Sequence, residues 1–354
     1  MIFFDTLANL GASGYGGSAQ KILFAMSKQG VNVRSHLIPG EIPDVHLFYG
    51  QLYNESIDNE RTIPYRGGRL VFYTMFESNV MPQEWIDNIE KYKPELIIAA
   101  SKWCAESFRK YVPEHIPIET VPLGIDHTEF FPLRREFRAA KQFTYLWQGF
   151  TDNFDRKGGN LVEKAFDDLV DNGELPGDDV RLIKKSTPHV LRGVSRDVRW
   201  DTDDNALNFL PIKRDILMIK PLREMHEIYR QADVSVNPTG GEGFGLIPLE
   251  HMATGLPIIA PCATGMKDYL DGADGLYIPL RCHLMKSLVG PGMIDRPLYD
   301  GVREAMLYAY RHRDELKVMG KNAGEYAKQF TYDESVIRMA TILAKHFGEE
   351  AVMS

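Results

Sequence analysis

Short apolar runs that alternate with amphipathic stretches constrain this chain more than any other feature of its sequence. Ile2 to Asp5, Val31 to Ile38, Val45 to Tyr49, Leu70 to Met75, Leu96 to Ala100 and Ile118 to Pro122 read as strands. Helical patterns lie between them, from about Ser18 to Lys28 and from about Pro82 to Tyr92. Ser101 suits the cap of another helix through Trp103, Phe108 and Tyr111. Strands this short and apolar need cover on both faces, which predicts a parallel sheet between helical layers. A polar stretch, Leu133 to Gln142, then carries four positive charges and one negative, as a linker or surface helix would. The alternation restarts beyond it. Phe143 to Trp147, Val180 to Lys184, Ala232 to Asn237, Pro257 to Ala260 and Leu276 to Pro279 read as strands. Gly159 to Val170, Met225 to Gln231 and Pro248 to Thr254 read as helices, and Asp295 to Phe347 as mostly helical. The expectation is two α/β domains, 1–135 and 136–328, with a ligand in the cleft at the C-terminal ends of the strands.

At 354 residues the chain is long for one domain, which agrees with two. No apolar run reaches the ~20 residues of a membrane span. Cys104, Cys262 and Cys282 form no CxxC and fit a reducing compartment, so a cytoplasmic location is expected. The ten histidines include no HxxxH or HExxH pair, which gives a metal site little support. A net charge of −8 argues mildly against a dedicated nucleic-acid binder, although a local basic patch is compatible with it.

The chemistry concentrates in residues 239–257, TGGEGFGLIPLEHMATGLP. A glycine-rich turn here separates a strand pattern from a helix pattern, and free amides at a helix start suit a phosphate. Glu242 and Glu250, with seven residues between them, accept hydrogen bonds from hydroxyls. Phosphate and hydroxyls together describe a nucleotide-sugar. The bland alternative, two surface glutamates near a helix start, leaves glycines 240, 241, 243 and 245 unexplained, since ordering them costs backbone entropy. Three further segments matter. Gly11, Gly14, Gly16 and Gly17 lie between the first strand and its helix in a register other than GxGxxG. Arg156-Lys157-Gly158-Gly159 precedes the helix that opens the second half and offers a cation to a diphosphate. Glu77 closes the fourth strand of the first half at the cleft end. His251 reads as a packing or capping residue rather than a ligand.

Taken in order, these residues resemble the retaining GT-B glycosyltransferases of the glycogen-synthase-like and mannosyltransferase-like group, the group 1 or family 4 type. The resemblance rests on Gly16-Gly17, Glu77-Ser78 with Pro82 and Trp85, and Ser101 to Phe108. It continues through Val121 to Asp126 with Phe131-Pro132, Lys157-Gly158, Ile228 to Asp233 and the Glu242–Glu250 spacing, and reaches about residue 345. It implies two Rossmann-like domains facing a central cleft, with a C-terminal helix, residues 329–354, crossing back to the first domain. It also implies roles. Glu250 binds the nucleotide ribose and Glu242 the donor sugar. Gly243, Phe244, Gly245 and Leu246 offer amides to the sugar and diphosphate, with Lys157 as the positive charge. Gly16 and Gly17 let the first domain close over the phosphates, and Glu77 meets the substrate.

The implied reaction moves a hexose-type sugar from a nucleotide-diphosphate sugar, UDP- or GDP-linked, to an acceptor hydroxyl without a metal or other cofactor. The family's arginine just after the glycine ending the strand is missing, since Gln148 to Asp155 reads QGFTDNFD. Either Arg156 substitutes or one phosphate contact is absent. The acceptor class stays open among a glycan, a lipid-linked sugar and a small molecule. A modified base in DNA is a second enzymatic reading, permitted by the basic stretch Arg134 to Lys141. A sugar-nucleotide-binding protein that has lost turnover is a reading of another class.

Overall fold

The structure is a computed structural model that describes residues 1–6, 14–38, 40–53, 67–133, 142–150, 155–187, 214–218 and 222–353. Among these residues, β1 (Ile2–Asp5), β2 (Val33–Arg34), β3 (Val45–Tyr49), β4 (Arg69–Thr74), β5 (Leu96–Ala99) and β6 (Ile118–Thr120) form one parallel sheet in the order β2-β1-β3-β4-β5-β6. Its connecting helices are α1 (Gly14–Lys28), α2 (Gln83–Tyr92) and α3 (Lys102–Phe108). Every residue of β3 and β5 is buried, as expected of strands covered on both faces. Trp85 on α2 is fully buried and touches the rings of Tyr53, Phe76 and Phe108. The predicted Ser101 cap is present, its hydroxyl accepting from the Cys104 amide at 3.1 Å.

The second sheet is parallel too. It contains β7 (Phe143–Phe150), β8 (Val180–Thr187), β9 (Arg214–Met218), β10 (Val234–Val236), β11 (Ile258–Ala260) and β12 (Ile278–Pro279), in the order β12-β11-β10-β7-β8-β9. Helices α4 (Gly159–Asp171), α5 (Leu222–Gln231), α6 (Leu246–Ala253) and α7 (Lys267–Leu270) connect its strands. Along β7 the side chains alternate. Tyr145 and Trp147 pack with Val162 and Phe166 of α4, whereas Leu146 packs with Ile228 and Tyr229 of α5. The chain then makes an antiparallel ribbon, β13 (Cys282–Lys286) and β14 (Met293–Pro297), followed by α8 (Tyr299–Arg311), α9 (Arg313–Ala327) and α10 (Tyr332–Phe347). The ribbon corrects the reading of Leu276 to Pro279 as the last strand. Its turn signal, Gly290-Pro291-Gly292, stands in the sequence.

The last helix crosses back to the first domain. Its buried Val336, Met339 and Leu343 join the core that holds Ile22 and Ala25 of α1. Lys345 and His346 approach Glu119 at 3.3 and 3.2 Å, and the Ile125 amide donates to Phe330 O at 2.9 Å. The predicted boundary between the domains, between residues 135 and 136, lies outside the described residues. No described helix is long and apolar enough to cross a membrane.

Gly124 sits where the chain crosses back. A Cβ there would overlap the carbonyl of Thr331 and the amide nitrogen of Tyr332. Gly124→Ala should push α10 off the first domain and cost ~1–3 kcal/mol as an overpacking change. Urea or thermal unfolding reads this loss, and a midpoint equal to that of the unaltered chain would refute the tight crossing.

Candidate functional site

In an open parallel sheet, ligands gather where the strand order reverses, at the carboxyl ends of the strands. In the second sheet β7 and β10 are neighbours with their successors on opposite sides, which makes this the reversal point. Lys157 follows β7 and Glu242 follows β10, so residues 85 apart in sequence meet there. Lys157 Nζ donates to Glu242 Oε1, and Thr239 Oγ1 donates to the same oxygen at 2.8 Å. The Glu242 amide donates to Thr264 Oγ1 at 3.0 Å. Side-chain exposure is 16% for Lys157 and 9% for Glu242, so the pair is largely removed from water. Burial alone would raise the Glu242 carboxyl, but the charges of Lys157 and Arg156 outweigh it and hold the group below the ordinary carboxylate range. Burial pulls the Lys157 ammonium below the ordinary lysine range, against the pull of Glu242.

Arg156 joins the two domains. Its Nη1 donates to Gly241 O at 2.8 Å and lies 3.8 Å from Glu242 Oε2, while its Nη2 lies 3.9 Å from Glu77 Oε1 across the cleft. Glu77, Arg156, Lys157 and Glu242, four residues read separately in the sequence, therefore form one charged cluster. Nothing in the sequence spacing pointed to Arg156 as the link to Glu77.

The glycines of the turn have a use that the sequence alone did not suggest. Gly241 has φ 147°, a conformation L side chains rarely adopt, and a Cβ there would stand 2.5 Å from Glu77 O. At Gly243 a Cβ would meet Met75 Cβ at 2.7 Å, and at Gly240 it would meet Arg296 Nε at 3.1 Å and Leu288 Cδ1 at 3.2 Å. Protein, namely the end of β4 and the β13–β14 ribbon, approaches these positions. The ribbon reaches the first domain as well, with Ser78 Oγ donating to Pro291 O at 2.8 Å and the Met293 amide donating to Asn79 Oδ1 at 3.2 Å. This clasp was missed in the sequence because its partners are 213 and 214 residues away.

The predicted phosphate-facing helix start is present as the N-terminus of α6. Gly245 caps it in a left-handed conformation without a side-chain hydrogen bond, and Leu246 begins the helix. That start is two residues earlier than the expected Pro248. Phe244 is buried against Tyr269, so it can serve a ligand only through its backbone. Glu250 stands one turn into α6, and burial pushes its carboxyl up to about 7, with Lys185 opposing and Glu129 reinforcing. Lys21 of α1 also opposes that rise. Lys21 is held by Asp126 at 2.5 Å and by Glu129. Gly16 and Gly17 lie one turn before Lys21, inside α1 rather than in the loop ahead of it. A Cβ at Gly17 would meet nothing within 4 Å. Gly11, residues 151–154 and the basic stretch Arg134 to Lys141 lie outside the described residues.

Two parallel sheets facing a cleft, with the site at their carboxyl edges and the last helix returned to the first domain, define the GT-B class. Residues 182–284 match the family model described as Glycosyl transferases group 1. The chain is 26% identical over 245 residues to a D-inositol 3-phosphate glycosyltransferase of Corynebacterium kroppenstedtii, covering 65% of this chain and 48% of that protein. It thus spans about half the length of that relative. Among solved structures it resembles sucrose-phosphate synthase from Thermosynechococcus elongatus, with a TM-score of 0.61 at 16% identity over 86% of this chain and 74% of the other. It also resembles the pneumococcal O-GlcNAc transferase GtfA, solved with UDP and GlcNAc, with a TM-score of 0.56 at 16% identity over 94% of this chain and 60% of the other. Both the match over residues 182–284 and these relatives are to glycosyltransferases of group 1 type, with which the chain shares its fold.

Two outcomes follow from the charged groups. Lys157→Met leaves Glu242 buried beside Arg156 alone, and should destabilise the fold by ~3–5 kcal/mol in urea unfolding. The double variant Lys157→Met with Glu242→Gln should recover most of that loss, and equal losses in both would contradict the pairing. Glu250 titrates near the ordinary 4.5 when unfolded and near 7 when folded. The folded chain holds this proton more tightly, so its contribution to stability is full below pH 4.5 and lost as pH rises through about 7. Unfolding across that window should show Glu250→Gln gaining on the unaltered chain as pH rises. Parallel pH curves would contradict a buried carboxyl.

Proposed function

We propose that this chain transfers a hexose-type sugar from a nucleotide-diphosphate sugar to an acceptor hydroxyl, with retention of anomeric configuration and without a metal ion. One observation carries the reading. The Lys157–Glu242 pair and the start of α6, which no side chain caps, meet at the point of strand reversal, with Glu77 on the facing wall. Breaking a sugar–phosphate bond builds positive charge at the anomeric carbon and negative charge on the departing diphosphate. Lys157 and the α6 amides, Leu246 among them, stabilise that leaving group electrostatically. Glu242, held by Lys157 and Thr239, keeps acceptor capacity for sugar hydroxyls, and Glu250 does the same for the nucleotide ribose.

Glu242 is pinned by cations, which disfavours it as a free nucleophile. The preferred course is therefore on one face. The bond from the anomeric carbon to the diphosphate breaks, a bond to the acceptor oxygen forms, and the acceptor's proton passes to the leaving phosphate. The UDP and GlcNAc bound to GtfA support a UDP-linked donor. The relative's name supports a small polyol phosphate as one candidate acceptor, beside a glycan or a lipid-linked sugar. The engagement of Arg156 by two carboxylates favours a second reading, a sugar-nucleotide-binding protein with little turnover.

Nucleotide release from UDP-, GDP- and ADP-sugars, with and without acceptors, separates the two readings. An enzyme should release nucleotide faster when acceptor is present, whereas a binding protein should release none. Glu242→Ala should lower turnover by roughly 100-fold, the scale of one lost preorganised contact, with nucleotide affinity little changed. Glu250→Ala should weaken nucleotide affinity instead. Full transfer by Glu242→Ala with every donor would refute the assignment.

A further inference from the structure

Through His251, the residue after Glu250, runs a chain of hydrogen bonds that the proposed reaction does not yet use. Asn237 Nδ2 donates to Ser235 Oγ at 2.9 Å, and Ser235 Oγ stands 2.7 Å from His251 Nδ1. His251 is fully buried, and its Nε2 stands 3.1 Å from Gln148 Oε1. Tyr229 OH donates to the same oxygen at 3.0 Å. The donor and acceptor roles follow from one end to the other. Gln148 turns an acceptor, Oε1, toward His251, so His251 Nδ1 is bare and takes the hydroxyl proton of Ser235, which itself accepts from Asn237. His251 then carries its proton on Nε2 and donates it to Gln148 Oε1. With Oε1 held by these two donors, the NH2 group of the carboxamide faces the other way.

The strand end that carries Gln148 opens on the cleft. Gln148 is the residue of β7 beside Gly149 at the carboxyl end, and it is only half-buried. Three placements bring it to Glu250. His251, which holds it, is the next residue in the chain. Lys185, its register partner on β8, lies in the field of the Glu250 carboxylate. Tyr229, its other partner, is raised by burial first and by Glu250 next.

We propose that Gln148 is a donor-binding residue, its fixed carboxamide N–H donating to a ribose hydroxyl oxygen of the nucleotide whose proton Glu250 accepts. A hydroxyl both gives and receives a hydrogen bond. A carboxylate that only accepts, set beside an amide edge that only donates, matches that dual character. His251 and Tyr229 are positioning residues that act through Gln148. This assignment rests on the glycosyl-transfer reading, since it names a further contact to the same donor.

The experiment measures dissociation constants of UDP and GDP, and of their 2′-deoxy and 3′-deoxy forms, by calorimetry on the unaltered chain and on Gln148→Met. The unaltered chain should prefer the ribonucleotides. Gln148→Met should weaken ribonucleotide binding by about 3- to 10-fold, the scale of one neutral hydrogen bond. It should leave the affinity for at least one deoxy form unchanged, so that the preference shrinks. Tyr229→Phe, which frees one lone pair of Oε1 and lets the amide turn, should shrink the preference less, and it carries the test if Gln148→Met does not fold. Equal weakening of all forms, or no weakening, overturns the assignment. If Glu250→Ala abolishes the preference while Gln148→Met keeps it, Gln148 falls and the glycosyl-transfer reading stands. If the unaltered chain binds none of these nucleotides, both fall.

Discussion

Lys157 and Glu242 can share a nearly dry interior because each supplies the charge the other lacks. Isolated, either would lose more by leaving water than the fold could return. The pair ties the loop after β7 to the loop after β10, the two loops that flank the reversal of strand order. Other features hang on that junction. Thr239 and Thr264 fix the carboxylate and the backbone of Glu242. Trp147 Nε1 donates to Lys157 O at 2.9 Å and holds the lysine's own backbone. Arg156 carries the charge network across to Glu77. A ligand that enters here meets a field already oriented, which is the condition for electrostatic help in a transfer reaction.

The two domains meet closely at this junction. Buried side chains continue from Met75 and Phe76 of the first domain to Phe244, Met266 and Tyr269 of the second. The β13–β14 ribbon adds a second bridge, its inner-face Ile294 buried and its outer-face Leu284 and Met293 exposed. Gly240 and Gly241 lack side chains at the points where the ribbon and the β4 end come closest. The turn is thus packed by protein from two sides, which meets the entropic cost of ordering its glycines without a ligand. A groove of about 770 Å³ lies elsewhere, between Tyr277, Arg281, Tyr308 and Val318, and none of the site residues lines it.

Much of this was legible in the sequence, and for a physical reason. Strands such as Val45–Tyr49 and Leu96–Ala99 are apolar throughout because both faces are covered, so their composition alone announces a parallel sheet. Glu242 and Glu250 were legible because their spacing across a strand–turn–helix junction is local. The ribbon was harder to read. Its strands alternate weakly, with His283 and Lys286 exposed, and its stabilising contacts are to residues more than 200 positions away. Glycines 14, 16 and 17 suggested a loop by composition, yet they fall within α1, where tertiary packing overrides their poor helix propensity. The Gln148–His251 chain was not legible either, since a glutamine at a strand end and a histidine in a helix carry no pattern until the sheet brings them together.

The sequence by itself determined the repeated strand–helix alternation, the positions of the phosphate-suited turns and the identity of the carboxylates and cations at them. These are properties of residues close together in the chain, governed by periodicity, turn chemistry and charge. Which of those groups meet was decided only by the tertiary structure. Lys157 pairs with Glu242, Arg156 reaches Glu77, and Gln148 meets His251 and Tyr229, because sheet register and domain contact set distances that local pattern does not encode.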